Sequence, residues 1–252
     1  MRISAIQANT VWEDRAANFE LLAHPLRVAA AHGASLVVLG EMFATGFSMR
    51  TDVVAEPMDG PTMSFLRETA RVHDFWVGGS FACTHDRDDL ATNRFALVAP
   101  NGATHHYDKI HPFRYANEHL VYRAGTDRVA VEIDGVRCSL FVCYDLRFAD
   151  EFWAVAPATD VYLIPANWPE RRSHHWRSLL TARAIENQAY VVGCNRVGTA
   201  DDLVYSGDST IIDPQGRTLA HGAHTETVIT ADIDPDFVRE TRKRFPFLAD
   251  RR

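Results

Sequence analysis

The chain has 252 residues, 46% of them hydrophobic and 23% charged, with a formal net charge of -7. These proportions suit one globular domain over residues 1–252 and exclude a mainly disordered chain. The negative charge, with basic runs no longer than Arg171-Arg172 and Arg242-Lys243-Arg244, speaks against nucleic acid as a partner.

Residues 3–7 alternate as a strand, and residues 14–31 set Phe19, Leu22, Leu26 and Ala30 on one side of an amphipathic helix that His32-Gly33 ends. Residues 36–39 are a short apolar run, as in a strand buried on both faces, and they deliver Glu41 at its carboxyl end. A loop from Gly46 to Gly60 precedes a helix over 64–72. Residues 75–82 form a strand softened by Gly78-Gly79, and 94–98 pair with 103–107 across the turn Pro100-Asn101-Gly102. Lys109 then heads a polar loop that runs past Glu118 to Gly125, and loops of this length in a compact domain are often functional.

Residues 129–133 and 136–142 make a hairpin around Asp134-Gly135 that ends at Cys143, and Phe148, Phe152, Trp153 and Ala156 predict a helix over 145–156. A strand over 161–164 runs into Asn167-Trp168-Pro169, followed by a helix over 173–188 and a strand over 190–194. Strands at 209–212, 217–220 and 227–233, a helix at 235–244 and a loosely ordered tail complete the chain. No run approaches the ~18 apolar residues that cross a bilayer, and the start lacks a signal-peptide core, so no membrane partner and a cytosolic location are expected. Cys83, Cys138, Cys143 and Cys194 are too sparse for a disulfide scaffold, and the histidines show no zinc spacing, so no metal is expected.

Cys143 falls at a strand-to-helix turn, where a side chain can be exposed and the first helical N–H groups face any developing negative charge. Cysteine is among the most buried residue types, and the turn by itself favours inert packing. A free thiol is mostly protonated near neutral pH, with a pKa of roughly 8.5, so a nucleophile here needs help. Glu41 could move a proton, and Lys109 with the Tyr144 N–H could hold an oxyanion. Spacing alone does not bring the three together.

The segments Gly-Glu41-Met-Phe, Tyr-Asp-Lys109-Ile-His and Val-Cys143-Tyr-Asp-Leu-Arg-Phe, in that order, resemble the carbon-nitrogen hydrolase, or nitrilase, superfamily. Residues 167–169, 182–188, 190–196 and 207–209 extend the resemblance over most of the chain, and the pattern is most similar to the omega-amidase branch, which includes bacterial 2-oxoglutaramate amidases. It implies an α/β four-layer α-β-β-α sandwich with two mixed sheets, and a homodimer joined through the helices after Cys143 and around 173–188. It also implies Cys143 as nucleophile, Glu41 as general base and acid, Lys109 as oxyanion stabiliser and Glu118 as a second, positioning glutamate, with no metal or organic cofactor. Gly40 departs from the proline common before the glutamate in relatives.

The implied substrate is a small amide with a carboxylate at its far end, so a positive group is needed in the pocket. Arg114, Arg147 and Arg172 are the candidates, with Arg172 the expected anchor and Arg147 equally suited to a structural ion pair. Phe43, Tyr115, Asn167 and Trp168 are candidate pocket residues. Nitriles, N-carbamoyl compounds and deaminated glutathione are alternative substrates for the same three residues, though Tyr144-Asp145 after the cysteine favours an amide. A catalytically silent interaction module and a thiol redox sensor using Cys138 are readings of other classes; Cys138 falls on the opposite face of the strand from Cys143.

Overall fold

Period-two alternation decides the architecture. Ile3 and Ala5, Leu36 and Val38, Phe95 and Leu97 point into one apolar core, while Ile6, Val37, Leu39, Ala96 and Val98 point into a second. A sheet with two apolar faces must be covered on both. The computed structural model describes residues 1–85 and 88–251. Its first half contains β1 (Arg2–Gln7), α1 (Arg15–Ala31), β2 (Leu36–Val38), α2 (Thr51–Val54), α3 (Pro61–His73), β3 (Trp76–His85), β4 (Asp88–Val98) and β5 (Thr104–Asp108). The second contains β6 (Val129–Ile133), β7 (Val136–Leu140), α4 (Ala149–Val155), β8 (Val161–Ala166), α5 (Ser173–Asn187), β9 (Tyr190–Asn195), β10 (Val197–Ala200), β11 (Leu203–Ile212), β12 (Thr218–Ala223), β13 (Thr227–Asp232) and α6 (Pro235–Arg244).

One sheet runs β13-β1-β2-β3-β4-β5, and the other runs β10-β11-β9-β8-β7-β6 with β12 paired to β11. Each is mixed: β1, β2 and β3 are parallel, as are β7, β8 and β9, and the remaining strands pair antiparallel. Helices α1 and α3 cover the outer face of the first sheet through Leu22, Leu26, Met63 and Leu66. Helix α5 covers the second through Trp176, Leu180 and Ala184, and the inner faces pack on each other. The result is the α-β-β-α layering. Each fully buried Leu or Ile in these layers contributes about 1.5–3 kcal/mol relative to exposure.

Local departures from the sequence expectations have physical causes. The helix expected over 145–156 is broken into a 3₁₀ turn, Cys143–Arg147, and α4, because Phe148 is extended (φ -103°, ψ 90°). The Asp145 carboxylate takes the Val142 N–H at 3.0 Å and holds that turn tight. The strand expected at 209–212 starts at Leu203 and pairs with β10, an unexpected hairpin whose turn residues Asp201 and Asp202 are both left-handed (φ 48° and 57°). Such a turn usually shows a glycine, and this one has none. The Gly46–Gly60 loop holds the single turn α2. Gly79 does not soften its strand; a Cβ there would meet Phe43 Cδ1 at 2.7 Å and Leu39 Cβ at 2.8 Å, so the glycine admits close packing.

Gly193 in β9 plays the same part beneath α5, where a Cβ would lie 2.6 Å from Leu180 Cδ1 and 2.8 Å from Trp176 Cζ2. Gly193→Ala should therefore destabilise the fold by about 1–3 kcal/mol through overpacking. Chemical denaturation tests this; an unchanged midpoint would show that α5 is free to lift.

Candidate active site

Strand ends converge at one point between the sheets. Glu41 follows β2, Lys109 follows β5, Cys143 follows β7 and Asn167 follows β8. Carboxyl ends of strands are the general location of ligand crevices in α/β sheets. Backbone bonds fix the approach: Lys109 N–H donates to Asn93 O at 3.0 Å, and Gly125 N–H donates to Lys109 O at 2.8 Å. Cys143 is left-handed (φ 45°), as are Met42 (φ 45°) after Glu41 and Asn117 (φ 60°) before Glu118. Such conformations are costly in non-glycine residues and persist where surrounding structure imposes them.

Lys109 Nζ donates to Glu41 Oε1 at 2.9 Å and to Glu118 Oε2 and Oε1 at 2.9 and 3.1 Å, with all three side chains buried. Asn93 Nδ2 donates to Glu41 Oε1 at 2.9 Å and to Glu118 Oε1 at 3.1 Å. Glu118 also accepts the Phe113 N–H. The second oxygen of Glu41 accepts the Asn167 N–H at 2.8 Å, and Asn167 Nδ2 donates to the Glu41 carbonyl at 2.7 Å. The Cys143 thiol lies within electrostatic reach of both the Glu41 carboxylate and the Lys109 ammonium. Thus the structure brings Glu41, Lys109, Glu118, Cys143 and Asn167 into one contact network.

Burial works against charge on Lys109, but Glu118 and Glu41 outweigh it and hold the ammonium well above its ordinary pKa. Burial pushes Glu118 up, with Glu41 adding to it and Lys109 opposing. Burial and then the Glu41 charge hold the Cys143 thiol well above its usual range, and Lys109 only partly offsets them. The resting thiol is therefore protonated. Asp145 props the turn: besides Val142 N–H it accepts the His111 N–H at 2.9 Å and the Tyr107 hydroxyl at 2.7 Å, and burial pushes its carboxyl up to about 7.

The pocket over Cys143 is lined by Phe113, Tyr115, Tyr144, Trp168, Tyr205 and a basic wall of Arg147, Arg171 and Arg172. None of these arginines forms an ion pair with a carboxylate among the described residues. Arg147 stacks 4.7 Å from the Trp168 ring and donates to His175 Nδ1 at 3.2 Å, so it is no structural ion pair. Arg172 lies 5.5 Å from the Phe113 ring; burial and then the charges of Arg171 and Arg147 lower its pKa. Two expectations fail. Phe43 is not a pocket wall but a core residue packed on Phe65, because Gly79 opens space for it behind the sheet. Arg114 is exposed outside the pocket on the 3₁₀ turn Arg114–Ala116, which sets the largely exposed Tyr115 at the pocket mouth instead.

A carbon-nitrogen hydrolase family model matches residues 2–243. The chain belongs to the carbon-nitrogen hydrolase family. It is 42% identical to an Escherichia coli omega-amidase, YafV, over 99% of this chain and 96% of that protein. It is 35% identical to a 2-oxoglutaramate amidase of Bacillus subtilis, over 86% and 85% of the two chains. Among solved structures, a superfamily protein from Xanthomonas campestris with an arsenic adduct in its active site is 39% identical, with a TM-score of 0.94 over 100% of this chain and 97% of that one. The layered fold is thus that of the nitrilase superfamily.

Within that family frame, Asn93, Asp145 and Asn195 are site residues that the motif reading passed over. Asn195 Oδ1 accepts the Trp168 N–H at 2.7 Å and its Nδ2 donates to Trp168 O at 3.0 Å, which pins the Asn167 loop. Asn93 inside β4 and Asn195 at the end of β9 are buried polar side chains, and such groups must find partners. Gly40 is under no steric demand, as a Cβ there would meet nothing within 4 Å.

The charge pattern fixes the sign of one experiment. Glu41 raises the thiol's pKa and Lys109 lowers it. Glu41→Gln removes only the first effect, so Cys143 should ionise at a lower pH than in the wild type. Iodoacetamide alkylation of the Cys143 peptide across pH, followed by mass spectrometry, measures it. An unchanged or raised ionisation pH would show that Glu41 does not set the thiol's charge.

Proposed function

We propose that this carbon-nitrogen hydrolase is an omega-amidase that cleaves the terminal amide of omega-amido 2-oxo acids, such as 2-oxoglutaramate and 2-oxosuccinamate, to the dicarboxylate and ammonia. The observation that carries the reading is the pairing of a protonated thiol beside the Glu41–Lys109 pair with an unneutralised arginine wall in one pocket. The amide end enters toward Cys143, and the far carboxylate stays at the arginines. The names of the relatives at 42% and 35% identity support the same substrate class.

In this mechanism Glu41 takes the Sγ proton as sulfur attacks the amide carbon. Lys109 gives one N–H to Glu41 and shares another between the two oxygens of Glu118, which leaves its third donor for the oxyanion. The Tyr144 N–H, in the first turn after Val142 where amides lack helical partners, is the second donor. Collapse breaks the C–N bond, Glu41 returns the proton, and ammonia leaves a thioester on Cys143. Glu41 then takes a proton from water, the oxygen attacks the thioester, and the carboxylic acid departs as sulfur regains a proton. Glu118 and Asn93 position Lys109, and Asn167 positions Glu41.

A single domain supplies every one of these groups. The four cysteines are unpaired, which fits a reducing compartment such as the cytosol. We also infer a homodimer through α4, α5 and the adjoining tail, where Ile185 and Phe247 are 49% and 57% exposed. Sedimentation should then give twice the 28.3 kDa chain mass, and a monomer at micromolar concentration would refute it.

Ammonia release from 2-oxoglutaramate, with glutamine, a simple nitrile and deaminated glutathione alongside, tests the substrate assignment. The expected result is preferred turnover of 2-oxoglutaramate, abolished by Cys143→Ala. Arg172→Met should raise KM for anionic amides by roughly tenfold or more while sparing neutral amides; equal losses on both would remove Arg172 as the anchor.

A further inference from the structure

Tyr205 lines the Cys143 pocket from β11, and its hydroxyl has no hydrogen-bond partner among the described residues. The ring is 5% exposed, so it is fixed in the wall, and it lies within electrostatic reach of both Glu41 and Cys143. Behind it, the Arg196 guanidinium sits 4.7 Å from the ring centroid. Arg196 is 2% exposed and cannot touch a substrate. Its Nη2 donates to Thr10 O at 2.9 Å and to Asn9 Oδ1 at 3.4 Å, while Nε and Nη1 have no hydrogen-bond partner among the described residues. A buried guanidinium without a carboxylate is expensive, and its charge is directed at the phenol ring.

The backbone is shaped to hold it there. Gly198 (φ +92°) lies so close to Asn9 that a Cβ would meet Oδ1 at 2.1 Å. Gly46 (φ +77°) lets the Trp12 ring lie 3.0 Å from the Cβ position, with Arg196 Nη1 at 3.7 Å. The β10–β11 hairpin, closed by the left-handed pair Asp201 and Asp202, carries Tyr205 opposite Gly198.

We propose that the Tyr205 hydroxyl, backed by Arg196, donates a hydrogen bond to the 2-oxo group of the substrate and thereby selects 2-oxo acid amides over the matching amino acid amides. The inference rests on the omega-amidase reading and adds the group that is recognised. A 2-oxo oxygen only accepts hydrogen bonds and the 2-ammonium of an amino acid only donates them; a phenol oxygen can also accept, but the Arg196 charge behind the ring disfavours a cation there and leaves the donating mode. Arg196 makes the phenol a better donor: burial raises its pKa, Arg196 opposes, and the balance stands at about 12. Arg147, Arg171 and Arg172 add repulsion against an ammonium, and Asp201 at the hairpin turn is the one carboxylate opposing them in the lining. Arg196 is a positioning residue, because it acts through the ring.

The test compares 2-oxoglutaramate with glutaramate, which has a methylene in place of the 2-oxo group, and with glutamine. Tyr205→Phe keeps the ring and removes the hydroxyl. It should raise KM for 2-oxoglutaramate about tenfold, leave KM for glutaramate within about twofold, and cut the preference over glutamine about tenfold. Equal losses on 2-oxoglutaramate and glutaramate would overturn the proposal. Arg196→Met should lower the preference, Arg196→Lys should restore part of it, and Arg196→Met combined with Tyr205→Phe should lose no more than Tyr205→Phe alone. Additive losses would remove Arg196 from the role. A wild-type enzyme that hydrolyses glutaramate but not 2-oxoglutaramate would refute the omega-amidase reading itself, and the inference with it.

Discussion

An ammonium taken out of water into a protein interior costs several kcal/mol unless its partners are well placed, and Lys109 is entirely enclosed. Two carboxylates surround it, so the cluster carries a negative excess that a single ion pair would not. Asn93 Nδ2, the Phe113 N–H and the Asn167 N–H share that excess as donors. Each donor sits at a different strand or loop, so the charges are satisfied only when the ends of β2, β5 and β8 meet beside the middle of β4. The packing of the two sheets and the burial of the charges depend on each other. Removing one partner of such a cluster strands the rest, at a cost of about 3–5 kcal/mol.

The same arrangement sorts charge along the pocket. Negative carboxylates lie below the thiol, and guanidiniums line the wall above it. An amide with a distant carboxylate has one orientation in that field. The field also keeps Cys143 protonated at rest, so in the proposed mechanism its nucleophilicity appears only as Glu41 removes the proton. Cys83, Cys138 and Cys194 are buried in the core with thiols raised by burial, which makes each a poor resolving thiol and speaks against a redox role. The raised thiol separates this site from those where a helix end or a cation holds a preformed thiolate.

Much of this was legible in the residues. Alternation at 3–7 and apolar stretches at 36–39 and 136–142 located inner strands, since a strand covered on both faces is apolar on both. Glu41, Lys109 and Cys143 stood out as chemical groups at element ends, yet only the tertiary fold joins residues separated by 68 and 126 positions such as Lys109 to Glu41 and Asn167 to Glu41. Asn93 and Asn195 were hidden because an amide inside a strand pattern has no chemical signature of its own. Tyr205 was hidden with its hairpin, whose turn uses two aspartates in the left-handed region. Phe43 and Arg114 misled because sequence proximity to a site residue does not fix which way a side chain faces: one turned toward Gly79, the other toward solvent.

The central claim is that the acyl group passes through Cys143. Rapid acid quench of the enzyme during turnover of 2-oxoglutaramate, followed by intact and peptide mass spectrometry, tests it most directly. The account requires an adduct equal in mass to the substrate less ammonia, on the Cys143 peptide and on no other cysteine. An adduct on another residue, or Cys143 free at every quench time across a complete single turnover, would contradict it.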